Sequence, residues 1–182
     1  MASPQPEQGQ APLRSAGRLR EVMAAHFRGV DRAAREHHAP VAWCTSVGPV
    51  ELLRALGFEV FFPENHGALL GASREANETM ARAHAIGYSP EICSYLTSDI
   101  GSYLMKKTPL RRYGLEGTPR ADLLLYSTNQ CREVKDWFEF YGREWNVPVV
   151  GVTSYRELGE VEPHHVEGIL RQLEALVPAL EA

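Results

Sequence analysis

Apolar and polar positions along the chain alternate between short strand-like runs and longer helical stripes. Over residues 17–37, Leu19, Val22, Met23, Phe27 and Val30 recur at helical spacing with Arg and Glu opposite them. This predicts an amphipathic N-terminal helix that Pro40 ends. Residues 41–44 read as a strand. The next segment opens with Pro49 and closes at Gly57, the residues favoured at a helix start and stop. Residues 58–62 form a second apolar run, halted by Pro63.

A further helix is expected over 73–86. Ser89-Pro90-Glu91 is a helix-start signal that places Cys93 in a first turn. That helix runs toward residue 107, with a break expected near Thr97-Ser98-Asp99. Residues 108–120 read as a loop and 121–126 as a strand. Over 131–145, Val134, Trp137, Phe138, Tyr141 and Trp145 make one apolar stripe, a core-facing helix. A fourth strand, 147–152, and a last amphipathic helix, 163–180, complete the pattern.

Strands and helices in alternation, with continuously apolar strands, predict an α/β fold: a mostly parallel sheet flanked by helices, Rossmann-like, with an N-terminal helix. Ligands in such folds collect at the carboxyl ends of the strands. Cys44, the Pro63-Glu64-Asn65-His66 segment and the turn from Ser127 to Cys131 are expected at that edge.

The 182 residues suffice for a single α/β domain, assigned to residues 14–182. Residues 1–13 carry Pro, Gln, Ser and Gly without an apolar signal core and read as a disordered tail. A net charge of −4 argues against nucleic acid as a partner. No apolar run approaches the roughly 20 residues of a membrane span. A cytoplasmic location with reduced thiols is therefore expected.

The three cysteines, Cys44, Cys93 and Cys131, are far apart in sequence, so they can act together only after folding. Cys93 and Cys131 each fall at a helix start, where N–H groups and the helix dipole favour an anion such as a thiolate or a negatively charged cluster. The other reading of both is as small buried hydrophobes. Glu64 is a candidate acid or base facing the crevice, and His66 a donor or proton carrier; a helix cap and a satisfied core residue are the alternatives. Thr45 and Ser46 could bond a ligand or shape a turn. The Gly67–Ala72 run of small residues would allow close approach to a ligand or another backbone. Lys106-Lys107 with Arg111-Arg112 could meet a phosphate-bearing ligand or form a solvated edge.

Several segments, in order, resemble the 2-hydroxyacyl-CoA dehydratase/benzoyl-CoA reductase family. They are Val41-Ala-Trp-Cys-Thr-Ser, Pro49-Val-Glu-Leu-Leu-Arg-Ala-Leu-Gly-Phe, Phe62-Pro-Glu-Asn-His-Gly-Ala, Gly87-Tyr-Ser-Pro-Glu-Ile-Cys-Ser-Tyr and Ser127-Thr-Asn-Gln-Cys. The resemblance implies a [4Fe–4S] cluster held on three cysteines and an acyl-CoA substrate. It implies too an ATP-dependent activator protein that delivers single low-potential electrons. By motif, Cys93 and Cys131 would be cluster ligands, with Ser46 and Glu64 catalytic and Thr45, Asn65 and His66 on the substrate side. The family draws its third ligand from a second α/β domain, so a second subunit or a C-terminal domain is an implied partner, and the chain alone would be inactive. The alternatives are that Cys44, at a position the family does not usually use, substitutes as the third ligand, or that the chain holds no intact cluster. The Phe62-Pro-Glu-Asn-His and Cys93-Ser-Tyr segments lean toward reductase-type subunits. A different class, a non-catalytic α/β module that binds a partner subunit or CoA with its cysteines buried, remains as the alternative. A thiol redox switch ranks behind it.

Overall fold

A computed structural model describes residues 14–155 and 159–181; the expected tail at 1–13 lies outside the described residues. Four strands, β1 (Val41–Cys44), β2 (Glu59–Phe61), β3 (Leu123–Ser127) and β4 (Val149–Val152), form one sheet in the order β2-β1-β3-β4. Every pairing is parallel: Trp43 lies opposite Phe61 and Leu124, and Leu125 opposite Val150. This is the expected α/β architecture. Strand order reverses at β1, which places a ligand crevice beyond the ends of β1 and β3.

Period-two alternation in β1 sends its side chains to two different cores. Val41 and Trp43 enter the larger one, against α1 (Arg14–Glu36), α5 (Ser94–Met105) and α6 (Arg132–Trp145). Trp43 is fully buried there, its ring centroid 4.8 Å from Phe61, 4.5 Å from Tyr141 and 5.0 Å from Trp145. Its indole N–H donates to the Pro119 carbonyl at 2.9 Å. Ala42 and Cys44 enter the smaller core with Leu53, on α2 (Val50–Ala55), Val60 and Leu125. That face is closed by Leu173, Leu176 and Leu180 of α7 (Pro163–Glu181).

Several boundaries differ from the sequence expectation: β4 starts at Val149 rather than residue 147, and α5 starts at Ser94, so Cys93 precedes the first turn instead of lying in it. Residues 63–72 form their own helix, α3 (Pro63–Ala72), with Pro63 at its start; Arg74 at φ 61° breaks the chain before α4 (Ala76–His84). The break expected at Thr97-Ser98-Asp99 does not occur. Thr97 and Ser98 turn their hydroxyls back onto the Cys93, Ser94 and Tyr95 carbonyls, and α5 continues. The 108–120 loop contains a 3-10 helix, Pro109–Tyr113, capped by Thr108, whose hydroxyl accepts from the Leu110 N–H at 3.1 Å. The third strand starts at Leu123 rather than residue 121, because Asp122 turns its carboxylate onto the Val41 N–H at 2.8 Å.

Gly101 brings α5 onto α4: a Cβ there would stand 1.7 Å from the Thr79 carbonyl oxygen. Gly67 lies against Tyr95 of α5, so at this position the small residue serves helix packing, whereas Ala68, Gly71 and Ala72 of the same run are exposed.

Candidate functional site

At the carboxyl end of β1 the chain turns through Thr45 and Ser46. Thr45 is fully buried, and its hydroxyl accepts from the Ser127 N–H at 3.1 Å, so it laces β1 to β3. Ser46 is exposed, and its N–H donates to Glu64 Oε2 at 2.6 Å. Glu64, half-buried in the first turn of α3, accepts with its other oxygen from Gln130 Nε2, also at 2.6 Å. Gln130 immediately precedes Cys131, so one loop carries both the partner of the carboxylate and a candidate ligand thiol.

Cys93 and Cys131 occupy the cap positions before α5 and α6, and the side chain of neither caps its helix. Cys93 is half-buried beside the larger core and Cys131 is exposed. Partial burial pushes the Cys131 thiol up, the Val134 N–H pulls it back, and the nearby Glu133 and Cys93 raise it further. The helix start therefore does not by itself make this thiol a thiolate. The two helices that these cysteines precede pack against each other, the Tyr103 ring of α5 and the Tyr141 ring of α6 meeting at 5.3 Å.

Cys44 lies elsewhere. It is fully buried in the smaller core, on the other face of the sheet from the core that Cys93 packs against. Burial, with Glu64 and Glu51, pushes its thiol up to about 12. Among the described residues no group of three His, Cys, Asp or Glu side chains could hold a metal ion. Cys44 thus does not complete a ligand set with Cys93 and Cys131. The donors present, two thiols at helix starts, would fit only a share of an iron–sulfur site, whose remaining ligands would lie outside these residues.

His66 does not face the crevice. It is fully buried, with Nδ1 bonded to Asp99 and Nε2 to the Thr108 hydroxyl at 2.8 Å. Asn65 is exposed and lines an apolar groove with Val22, His26 and Phe62, beside α1. The basic residues Lys106, Lys107 and Arg111 border a cleft of about 860 Å³ at the far end of α5, a helix length of about 18 Å from Cys93. Lys107 there pairs with Glu78, and Arg111 donates to the Lys106 carbonyl. Sequence reasoning missed Gln130 as the partner of Glu64, and Asp99. The signal for Asp99 is faint, a carboxylate in a largely apolar helix while the Trp137 N–H and Tyr141 O–H of another apolar stripe need acceptors, and Gln130 carries none.

The family model for the 2-hydroxyglutaryl-CoA dehydratase D-component matches residues 45–182, and the chain belongs to this family. It is 32% identical over 166 residues to the (R)-2-hydroxyisocaproyl-CoA dehydratase alpha subunit of Clostridioides difficile, covering 90% of this chain and 39% of that protein. Against the (R)-phenyllactyl-CoA dehydratase alpha subunit of Clostridium sporogenes it is 27% identical, over 81% of this chain and 35% of the relative. A benzoyl-CoA reductase subunit of Thauera aromatica is 26% identical over 72% of this chain and 30% of its own length. The chain therefore spans well under half the length of the relatives it matches. Identity and coverage are higher for these two dehydratase alpha subunits than for this reductase subunit, whereas the motif segments lean toward the reductase type. No helix among the described residues is long and apolar enough to cross a membrane.

Proposed function

We propose that this chain is the part of an acyl-CoA dehydratase or reductase subunit that supplies two thiols and a carboxylate to a shared iron–sulfur active site. The observation that carries this reading is the placement of Cys93 and Cys131 at the starts of α5 and α6, two helices bonded to each other through Asp99, with Glu64 tied to the Cys131 loop through Gln130. The names of the relatives support an acyl-CoA thioester as substrate, a 2-hydroxyacyl group ahead of a benzoyl one.

In this reading Cys93 and Cys131 hold the cluster, and a second subunit or further domain brings the missing ligand. When bound, the cluster would pass single low-potential electrons, received from an ATP-hydrolysing activator, toward the thioester. Glu64 takes or returns a proton at the substrate, on an oxygen that retains an unused lone pair beside its single hydrogen bond. Ser46 holds that carboxylate through its N–H and presents its own hydroxyl to solvent at the crevice mouth.

The test is anaerobic reconstitution with iron and sulfide in excess small thiol, which can stand in for missing ligands. The expected result is up to about four irons per chain with visible absorption. That iron is lost in Cys93→Ser and Cys131→Ser and kept in Cys44→Ala. No bound iron, or iron indifferent to both serine variants, overturns the reading and leaves the chain as a binding module with structural cysteines.

A further inference from the structure

Asp99 is fully buried in the middle of α5 and bonds to two other helices. Its Oδ2 accepts from the Trp137 indole N–H at 2.8 Å and from the Tyr141 hydroxyl at 2.6 Å, both on α6. Its Oδ1 is bonded to His66 of α3, which continues the chain of bonds to Thr108. Burial, with the Asp99 charge and hydrogen bond, pushes the Tyr141 phenol well above its ordinary value, so it stays a donor. Three donors converge on one carboxyl group in a site without exposed surface.

The positions of these residues along their helices match. Asp99 is the sixth residue of α5, and Trp137 the sixth of α6. One turn further, Tyr103 and Tyr141, the tenth residue of each helix, meet with ring centroids 5.3 Å apart. Sixth against sixth and tenth against tenth means that the helices run parallel and level. Their caps, Cys93 and Cys131, therefore emerge side by side at the same end. Aromatic packing alone is tolerant of small slips along an axis. A buried carboxyl group is not, because each displaced donor is left unpaired in a dry site.

We propose that Asp99 is a positioning residue for the thiol pair: through Trp137 and Tyr141 it fixes α5 level with α6 and so sets the separation of Cys93 and Cys131, and through His66 it seats α3 with Glu64. The inference gives a structural cause for the proposed ligand pair, and so rests on that reading for its purpose. Its geometry can be tested without iron.

The probe is phenylarsine oxide, whose arsenic binds two neighbouring thiols and releases one water. Wild-type chain captures one arsenical bridged between Cys93 and Cys131, identified by peptide mass. Trp137→Phe with Tyr141→Phe removes both α6 donors and keeps an aromatic ring at each position. Asp99→Ala removes the acceptor, and the paired phenylalanine variant carries the test if Asp99→Ala does not fold. Leu53→Ala, in the core on the other face of the sheet, is the control for lost stability.

The expected result is bridging weakened about tenfold or more in the α5–α6 variants, through lost proximity, and unchanged in Leu53→Ala. Bridging as tight as wild type in those variants overturns the proposal. So does equal weakening in a Leu53→Ala protein of matched melting temperature, or a wild type that does not bridge the two thiols. Iron content, measured separately, decides the cluster reading: a chain that behaves as expected toward the arsenical yet binds no iron keeps the positioning role and loses the cofactor.

Discussion

The backbone N–H of Ser46 donates to the carboxylate of Glu64 at 2.6 Å, across 18 residues of chain, and so pins the loop after β1 to the first turn of α3. Gln130 bonds the other oxygen of the same carboxylate, so Glu64 joins the loops that follow β1 and β3 at the point where strand order reverses. A side chain in that position serves two purposes, a strap and a proton carrier, and substitution separates them.

Glu64→Ala leaves the Ser46 N–H and the Gln130 amide without their acceptor and is expected to cost about 1–3 kcal/mol in urea denaturation. Glu64→Gln keeps an acceptor for Ser46 and is expected to stay within about 1 kcal/mol of wild type. In the assembled enzyme Glu64→Gln nevertheless loses turnover if the carboxylate carries the proton. An active Glu64→Gln enzyme would reduce Glu64 to a strap.

Gly48 lies over Cys44, and a Cβ at that position would come 2.5 Å from the sulfur and 3.2 Å from the Thr45 carbonyl. Gly48→Ala should destabilise the protein by about 1–3 kcal/mol through overpacking. Combining it with Cys44→Ala removes the clash. A double-mutant cycle is expected to show a favourable coupling of about 1 kcal/mol or more, and additivity would mean that the loop simply moves aside.

Cys44 also gives the chain a defined alkaline limit. Its thiol is held at about 12 in the folded protein, above its ordinary value of 9.0, so above pH 9 the unfolded chain releases a proton that the folded one retains. The stability from this group is complete below about pH 9 and is lost as pH rises toward 12, at up to about 1.4 kcal/mol per pH unit. Tyr141, raised well above 10.0 chiefly by burial, adds a loss of the same sign at higher pH. Denaturation midpoints between pH 8 and 11 should fall less steeply in Cys44→Ala, by about one proton's worth of slope. Parallel curves would show that Cys44 does not titrate with unfolding.

The contact between α4 and α5 has almost no clearance at Gly101, where an added Cβ would meet backbone rather than a movable side chain. Gly101→Ala is expected to be among the most damaging single substitutions, at about 3 kcal/mol or more, read by thermal melting. Gly71→Ala, where nothing lies within 4 Å, should be neutral or slightly stabilising.

The sheet was legible because its strands are short apolar runs bounded by Pro and Gly, and α6 because Val134, Trp137, Phe138, Tyr141 and Trp145 form one stripe. By contrast, α3 left no such stripe: it is short, rich in Gly and Ala, and buries only Pro63, His66, Gly67 and Leu70, with Gly67 set close against Tyr95 of α5. That Cys93 and Cys131 lie at helix starts followed from local signals, although Cys93 caps its helix instead of lying in the first turn, and that Cys44 enters the opposite core was visible only in the fold. His66 was hidden because its partner Asp99 lies 33 residues away, and only the folded chain shows that a residue beside a strand end points inward. The level pairing of α5 with α6 was hidden for the same reason.

The most direct test of the central claim is differential alkylation, comparing the chain before and after anaerobic loading with iron and sulfide and reading each cysteine by mass spectrometry. The account predicts that Cys93 and Cys131 react before loading and are protected after it, while Cys44 stays unreactive in both states. Cys93 and Cys131 reacting equally in loaded and unloaded chain would contradict it, as would protection that falls on Cys44.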